Sequence, residues 1–405
     1  MIPEPWSYEG PNGIRIVDVR TPEELVQRAA AWANLLQRSP GSSPVSSYPH
    51  MSAFFETRVA PERQWLCLFA YEGDRLVGVC PLVATRAVGV AGFAAVLLQA
   101  PFDVTHTGGV DCVVLPGRDD VVGVFHEYLT RMPRSLPVVR YHWLDRDSAS
   151  MRVRDRSTFR HRTVAYVSGS QNYIPVPGVD EDFHQRLSKN FRRQLRRGRQ
   201  RLERYDNVRY VHRDSERSTA ENLRRFEDTE DAGWKGEGRT SVKSGAGGAG
   251  FFELAAERYH EHGWMQWDFL EVDGRPVAAH YGIRMNRTLY LLKIGYDEDF
   301  GACGPGNLLL EQAVEAAAEA GDVDEINCMT DWAWHERWAM RKRWNYDVVV
   351  LPRIPIATRL LVHLLDTDVV RRRLGWPKHP PLDPAVDGAV AARRSTVPSR
   401  VRASA

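Results

Sequence analysis

Residues 288–320 read TLYLLKIGYDEDFGACGPGNLLLEQAVEAAAEA, and the three parts of this stretch decide the fold. Thr288–Tyr296 is rich in branched and aromatic residues and predicts a strand. Asp297–Gly306 is a glycine-rich turn. Asn307–Ala320, with Leu308, Leu309, Gln312, Val314 and a run of alanines, predicts a strong helix. A strand that turns into a helix in this way sets backbone N–H groups at the positive end of the helix dipole, where an anion is stabilised. Gly304 and Gly306 let the chain approach such an anion, with Asn307 and Leu308 opening the helix. Pro305 removes one donor from the cradle. The plainer reading is an ordinary strand–helix joint, because many use glycine.

Working outward, the same plan occurs twice. Around the turn, Ser218–Thr229 and Phe251–His262 are helical. Met265–Val272 and Arg275–Met285 form a hairpin about Asp273-Gly274. Val323–Met329 is a strand, Trp332–Arg343 a helix and Val348–Leu351 a last strand. Earlier in the chain, Ile14–Val19 is a strand and Thr21 caps a helix over Pro22–Arg38. A short helix follows over Met51–Arg58. Trp65–Glu72 and Leu76–Ala84 pair about Gly73-Asp74, and Phe93–Leu98 adds a strand. Asp119–Arg131 is a helix, Val138–Leu144 a strand, and Thr158–Tyr173 holds a further strand and a turn. Each half runs helix, hairpin, strand, helix, strand, an α/β order with a mixed, mostly antiparallel sheet flanked by helices.

A basic segment joins the halves. Arg186–Arg204 holds nine Lys and Arg against Glu203, a balance of +8 that leaves the remainder of the chain at −6 for a total of +2. Phe183, Leu187, Phe191, Leu195 and Leu202 recur at helical spacing, with Gly198 on the same stripe, so one face is buried. Asp180 is the expected cap. Arg192, Arg193, Arg196, Arg197, Arg199 and Arg201 fill the other faces with almost no carboxylate at i+4 to neutralise them. Such a helix is either a solvated connector or a phosphate-binding face for CoA, RNA or an anionic lipid, since the guanidinium fork matches phosphate. Thin aromatic interleaving argues against recognition of single-stranded RNA by base stacking along it.

The 405-residue length sets a prior of two domains. A hydrophobic content of 43% argues against a mainly disordered chain. The longest near-apolar stretch, Ala87–Leu98, is twelve residues, short of the roughly 18 needed to span a bilayer. No secretory leader pattern opens the sequence. Five scattered cysteines form neither a CxxC nor a zinc pattern, so no metal is expected and a reducing cytoplasm is the default.

Leu187–Arg197 reads LSKNFRRQLRR, which resembles the opening of the cellulose-biosynthesis-type acetyltransferase family, a branch of the GNAT superfamily. The likeness continues through Gly233-Trp234-Lys235-Gly236-Glu237-Gly238 and Gly274–Ala279. It ends with Lys293–Asp297 and Gly304–Leu309. It covers most of Phe183–Arg353. The first half resembles the degenerate domain of tandem GNAT proteins, a plan shared with Fem-type aminoacyltransferases. The resemblance implies acyl transfer from acyl-CoA, as co-substrate, to an amine or hydroxyl of a small-molecule acceptor. Its donor pyrophosphate would sit on the backbone of Gly304, Gly306, Asn307 and Leu308, helped by Arg192 and Arg196. The alternative donor is an aminoacyl-tRNA, its phosphates on the basic helix. A third reading is a non-catalytic RNA- or membrane-surface-binding protein. The family's usual Q/R position is Gly301 here, and its Tyr-Lys pair is Glu336-Arg337.

Three residues are candidates for the chemical step. Asp297 lies where the strand enters the turn, as base or as turn cap. His280 is the lone histidine of Arg275–Met285. Glu237 sits in the Gly- and Ser-rich loop Gly233–Gly250, expected to be mobile, where a lid over the acceptor fits. The aromatic set Trp332, Trp334 and Trp338 reads either as an acceptor wall or as core. No G-x-S-x-G elbow supports a hydrolase triad. The expected domains are 1–175, a degenerate GNAT-like unit; 176–207, the basic helix; and 208–353, the GNAT domain. An amphipathic helix over 354–376 and a disordered tail over 377–405 complete the chain.

Overall fold

The computed structural model describes residues 5–61, 63–90, 93–102, 108–132, 135–153, 161–178, 181–233, 236, 241–243 and 248–352. Asp180, Glu237, the expected helix at 354–376 and the tail lie outside these. The first half contains β1 (Tyr8–Glu9), β2 (Ile14–Val19), α1 (Pro22–Val26), α2 (Ala29–Gln37), α3 (Tyr48–Thr57), β3 (Trp65–Glu72) and β4 (Arg75–Val90). It continues with β5 (Phe93–Gln99), β6 (Val113–Val114), α4 (Asp120–Thr130), β7 (Ser135–Asp145), α5 (Ala149–Arg152) and β8 (His161–Pro175). After α6 (Lys189–Leu202), the second half contains β9 (Val208–Val211), α7 (Thr219–Asp231), α8 (Gly248–Glu261), β10 (Met265–Val272) and β11 (Arg275–Met285). It ends with β12 (Thr288–Tyr296), α9 (Pro305–Ala320), β13 (Glu325–Asn327) and β14 (Arg341–Pro352).

The strands form one sheet in the order β1-β2-β3-β4-β5-β7-β14-β8-β13-β12-β11-β10-β9, with β6 beside β4. The halves exchange strands at the centre. β14 leaves the second half and lies antiparallel between β7 and β8, with Val349 opposite both Arg140 and Val164. The end of β8 crosses the other way, placing Ile174 opposite Ile326 of β13. This non-local pairing corrects the reading of residues 332–343 as a helix. A 3₁₀ helix over Ala333–Trp338 ends at Ala339 in the left-handed region (φ 49°), and the strand begins at Arg341. Asp331, just before that helix, accepts hydrogen bonds from Ser170 (2.5 Å), Asn172 (2.7 Å) and Lys342 (2.7 Å).

Two other boundaries move. The predicted helix over residues 22–38 is split into α1 and α2 at Gln27-Arg28. The basic helix starts later than an Asp180 cap implies. Asp182 caps a 3₁₀ turn over Phe183–Arg186, and Ser188 caps α6 by accepting the Phe191 N–H at 3.2 Å.

The two halves differ at the gap that matters. β5 and β7 run parallel and stay paired from Ala94–Ser135 to Gln99–Arg140. β12 and β13 also run parallel but pair only from Thr288–Glu325 to Tyr290–Asn327. From Leu291 to Tyr296, β12 therefore has no strand on that side among the described residues. Opposite the open edge, β12 carries a bulge: Lys293 faces Tyr281 and Leu291 faces Gly282, leaving Leu292 unmatched. The first half is zipped shut where the second is open, so a ligand threading between strands has room in the second.

The apolar stripe that runs from the 3₁₀ turn into α6 packs against the helix that follows β12. Phe183, Leu187, Phe191, Leu195 and Leu202 are buried in one core with Leu308, Leu309 and Val314 of α9 and with Trp338. Each such side chain contributes roughly 1.5–3 kcal/mol on burial. On the other face of the sheet, α3 packs on α8 across the halves, with the His50 ring nitrogen 2.9 Å from the Tyr259 hydroxyl.

Candidate functional site

The cleft forms where α6 crosses the start of α9. Gly198 permits the crossing: a β-carbon there would run into the Cys303 carbonyl oxygen. The chain leaves β12 at Asp297, makes a 3₁₀ helix over Glu298–Cys303, and enters α9 through Gly304 at φ 64°. That left-handed backbone suits glycine because a β-carbon would crowd the carbonyl. Between turn and helix lies a cleft of about 390 Å³. Arg193, Arg197 and Arg201 line one wall and Gly301–Gly304, Asn307 and Leu308 the other, with Asn190 and Gln194 beside them.

The backbone donors of the predicted cradle are partly engaged. The Gly304 N–H binds the Gly301 carbonyl at 3.0 Å. The Asn307 and Leu308 N–H groups both bind the Gly304 carbonyl, at 3.1 and 3.2 Å. Pro305 has no N–H, so Gly306 carries the donor that an incoming anion can take. The Asn307 side chain accepts the Trp338 indole N–H at 3.1 Å, and Trp338 is fully buried. Trp338 is thus core that pins the first turn of α9. Trp332 is 56% exposed and Trp334 partly buried, so the three tryptophans do not form one wall.

The arginines that face the cleft are not the ones the sequence singled out. Arg192 and Arg196 lie on the opposite flank of α6, away from the lining set. Arg199, on that flank too, donates to the buried Glu311 at 2.7 Å, a carboxylate also met by His184 at 2.8 Å. Arg201 donates to the Ala302 carbonyl and ties α6 to the turn. The usable signal was Gly198: a glycine on the buried stripe of an arginine-rich helix marks a close crossing, and its flank supplies the neighbouring wall.

Asp297 is buried and directed into the turn. Its carboxylate accepts the Asp299 N–H at 3.0 Å and pairs with Arg275, which is 61% exposed. It therefore does the work of a cap. Next to it, the half-buried Tyr296 ring lies beneath Gly306, and the pKa of its hydroxyl is pushed up to about 12 by burial and the neighbouring Glu298. This hydroxyl stays protonated at neutral pH.

His280 is 2% exposed and opposite both Asp268 and Ile294, on the face covered by α9. It is not in the cleft lining. Asp268, fully buried, takes Gln266 and the Arg213 N–H and lies 3.5 Å from His212 and 3.8 Å from His280. Burial acts to raise its pKa, but hydrogen bonds from His212 and His280 outweigh it and hold the carboxyl well below the usual range. His280 and Asp268 form a buried polar knot outside the cleft lining. The structure thus brings Gly304, Asn307 and Leu308 together with α6, sets Gly306 on the Tyr296 ring and Asp297 behind the turn, and places His280, Arg192 and Arg196 outside the cleft lining.

Residues 189–338, from the first residue of α6 to Trp338, match the acetyltransferase (GNAT) domain family. No curated protein matches the sequence. Among solved structures, FemX is similar at 10% identity with a TM-score of 0.55, covering 87% of this chain and 100% of its own. The C-terminal domain of a putative lysylphosphatidylglycerol synthetase from Agrobacterium fabrum is similar at 11% identity and TM-score 0.48, covering 85% of this chain and 97% of its own. A tandem GNAT protein from the clavulanic acid biosynthesis pathway is similar at 12% identity and TM-score 0.40, over 82% and 98% of the two chains. The architecture is a mixed α/β fold, one large, mostly antiparallel sheet flanked by helices, whose second half contains the residues that match the GNAT domain family. No helix among the described residues is long and apolar enough to cross a membrane.

Proposed function

We propose, from the premise that residues 189–338 match an acetyltransferase (GNAT) domain, that the protein transfers an acyl group from acyl-CoA to an amine or hydroxyl of a small-molecule acceptor. The motif likeness points, within that superfamily, to the cellulose-biosynthesis-type branch. One observation carries the reading: the Arg193, Arg197 and Arg201 wall faces the Gly301–Gly304 turn and the first turn of α9 across one cleft. Three guanidinium groups beside the positive end of a helix fit a pyrophosphate.

From that anchor the donor chain runs along the unpaired edge of β12, Leu291–Tyr296, where main-chain groups can hold an extended amide-bearing arm. The acyl carbonyl then lies beside the bulge at Leu292. Backbone N–H groups there serve as oxyanion donors. The acceptor nitrogen or oxygen attacks the carbonyl carbon, the new C–N or C–O bond forms, and the C–S bond breaks. The acceptor proton leaves to water. The departing sulfur takes a proton from water, because Tyr296, beneath Gly306 at the anchor end, lies four residues and about 13 Å along β12 from Leu292. Asp297 keeps the turn in shape and takes no part in the proton path.

A second donor is favoured by a separate observation. Arg192 and Arg196 face outward on α6, with no ion pair among the described residues. An aminoacyl-tRNA would use these cations for its phosphates and the cleft for its 3′ end.

The test is calorimetric titration of CoA into the wild type and Gly304→Val. Val at a left-handed position bends the turn out of register. CoA affinity should fall by roughly tenfold or more, about 1.4 kcal/mol. Equal affinity in a folded Gly304→Val protein eliminates the cleft as the donor site.

A further inference from the structure

We infer that Tyr205 and Phe300 form a base-stacking subsite at the end of the arginine cleft, so that the donor is gripped as a nucleotide and not as phosphate alone. The inference rests on the donor-cleft reading and adds to it the chemical class of the handle.

Tyr205 follows the last turn of α6, four residues after Arg201, and its N–H binds the Leu202 carbonyl at 2.9 Å. Phe300 lies in the 3₁₀ helix immediately before Gly301. Both residues therefore adjoin groups that line the cleft, one from each wall. Their ring centroids are 5.4 Å apart with planes at 45°. Phe300 packs against the core that contains Cys303 and Leu308, which makes it a fixed backing. Tyr205 is 39% exposed and is one of three large exposed apolar side chains among the described residues, the others being Val26 and Trp332.

An aromatic ring held open to solvent beside a cationic cleft fits a ligand with a flat ring next to its phosphates. Stacking supplies affinity whatever the base, and the backing ring limits the entropy lost on binding. Arg204 strengthens the argument. Burial pushes the Cys303 thiol up, while the nearby Arg201 and Arg204 charges act to pull it down. Cationic charge thus continues from the cleft to the residue before Tyr205. A nucleoside diphosphate has this layout of ring and phosphates. It occurs in CoA and, as a terminal nucleotide, at the 3′ end of an RNA.

The experiment titrates the full chain with inorganic pyrophosphate, ADP, CoA and a short single-stranded RNA ending in adenosine. The proteins are the wild type, Tyr205→Ala and Tyr205→Phe. Tyr205→Ala should weaken ADP by roughly 5- to 150-fold, the range for one stacked base. Pyrophosphate affinity should stay within about twofold, and Tyr205→Phe should bind ADP like the wild type. Equal ADP affinity in Tyr205→Ala, with pyrophosphate still bound, overturns the subsite and leaves the cleft intact. Failure of wild type to bind pyrophosphate, ADP and CoA overturns the cleft and the subsite together. A Tyr205-dependent gain seen with CoA identifies the thioester donor, and one seen with the RNA alone identifies the RNA end.

Discussion

Gly198 of α6 faces the carbonyl oxygen of Cys303 so closely that no β-carbon fits between them. Two effects of Gly198→Ala oppose each other. Alanine is favoured over glycine inside a helix by about 1 kcal/mol. Forcing a methyl group against a backbone oxygen costs about 1–3 kcal/mol, because a carbonyl cannot swing aside as a flexible side-chain end can. Strain should win. We expect a lower thermal midpoint and weaker CoA binding, since α6 must move off the turn. A raised midpoint with unchanged CoA affinity would show that the crossing does not shape the cleft.

The two flanks of α6 separate the donors. Arg193→Gln with Arg197→Gln removes two groups of the cleft wall and should weaken CoA by roughly tenfold for each charge-assisted hydrogen bond that disappears. Arg192→Gln with Arg196→Gln should leave CoA affinity within about twofold, because exposed charges at that distance are screened. If RNA is the donor, the second pair should weaken RNA binding and flatten its salt slope by about 1.4–1.8. Filter binding across a salt series measures this. RNA that fails to bind even at low salt removes the tRNA reading.

Much of this fold was legible in local chemistry. Glycine and proline punctuate residues 297–306, and periodicity marks α9 and the buried stripe of α6. What stayed hidden depended on distant partners. β14 takes its place from pairing with β7 and β8, so nothing near residues 341–352 announces the exchange. The phase of the arginines was hidden for the same reason. Sequence shows that Arg192 and Arg193 avoid the buried face, but which flank meets the turn depends on where Gly198 crosses Cys303. The cap role of Asp297 was one of two open readings, and Arg275, across the sheet, tips the geometry toward it.

Stability should fall in acid through buried histidines. His50 is driven down to about 3, by burial and then by the nearby Arg58 charge. His335 falls to about 4, chiefly by burial, with Asp331 opposing and Lys342 assisting. His142 is lowered too, again chiefly by burial. His50 and His335 are neutral when folded and take up a proton in the unfolded chain below an ordinary value near 6.5. Their contribution is complete above that value and shrinks as pH falls, by about 1.4 kcal/mol per pH unit for each group that stays neutral. Asp347, held at about 2 by His142 and Arg140 against its burial, adds loss in the same direction below its ordinary 3.8. Denaturant midpoints from pH 7 to pH 4 should drop steeply. His50→Gln should reduce the slope by about one proton. A flat profile in the wild type would contradict the burial of these rings.

The last expectation sets Asp297 against its neighbour Tyr296. Asp297 accepts the Asp299 N–H, pairs with Arg275 and lies buried in the turn, so its geometry serves structure. Asp297→Asn keeps the shape and one acceptor but loses the charge that Arg275 meets. Because Arg275 is mostly exposed, water screens that pair and the larger loss is the cap. A cost of about 0.5–2 kcal/mol is the range for a weakened cap. The thermal midpoint should therefore fall while kcat stays near wild type in the folded fraction. Tyr296→Phe is the control. It keeps the ring beneath Gly306 and removes a hydroxyl at the anchor end of β12, away from the carbonyl beside Leu292, so kcat, CoA affinity and midpoint should all hold. Both variants need kcat, CoA affinity and midpoint measured side by side. A large loss of kcat in Asp297→Asn at an unchanged midpoint would return the carboxylate to the proton path. A large loss of kcat in Tyr296→Phe would put its hydroxyl in the proton path and move the reacting carbonyl from Leu292 toward the turn.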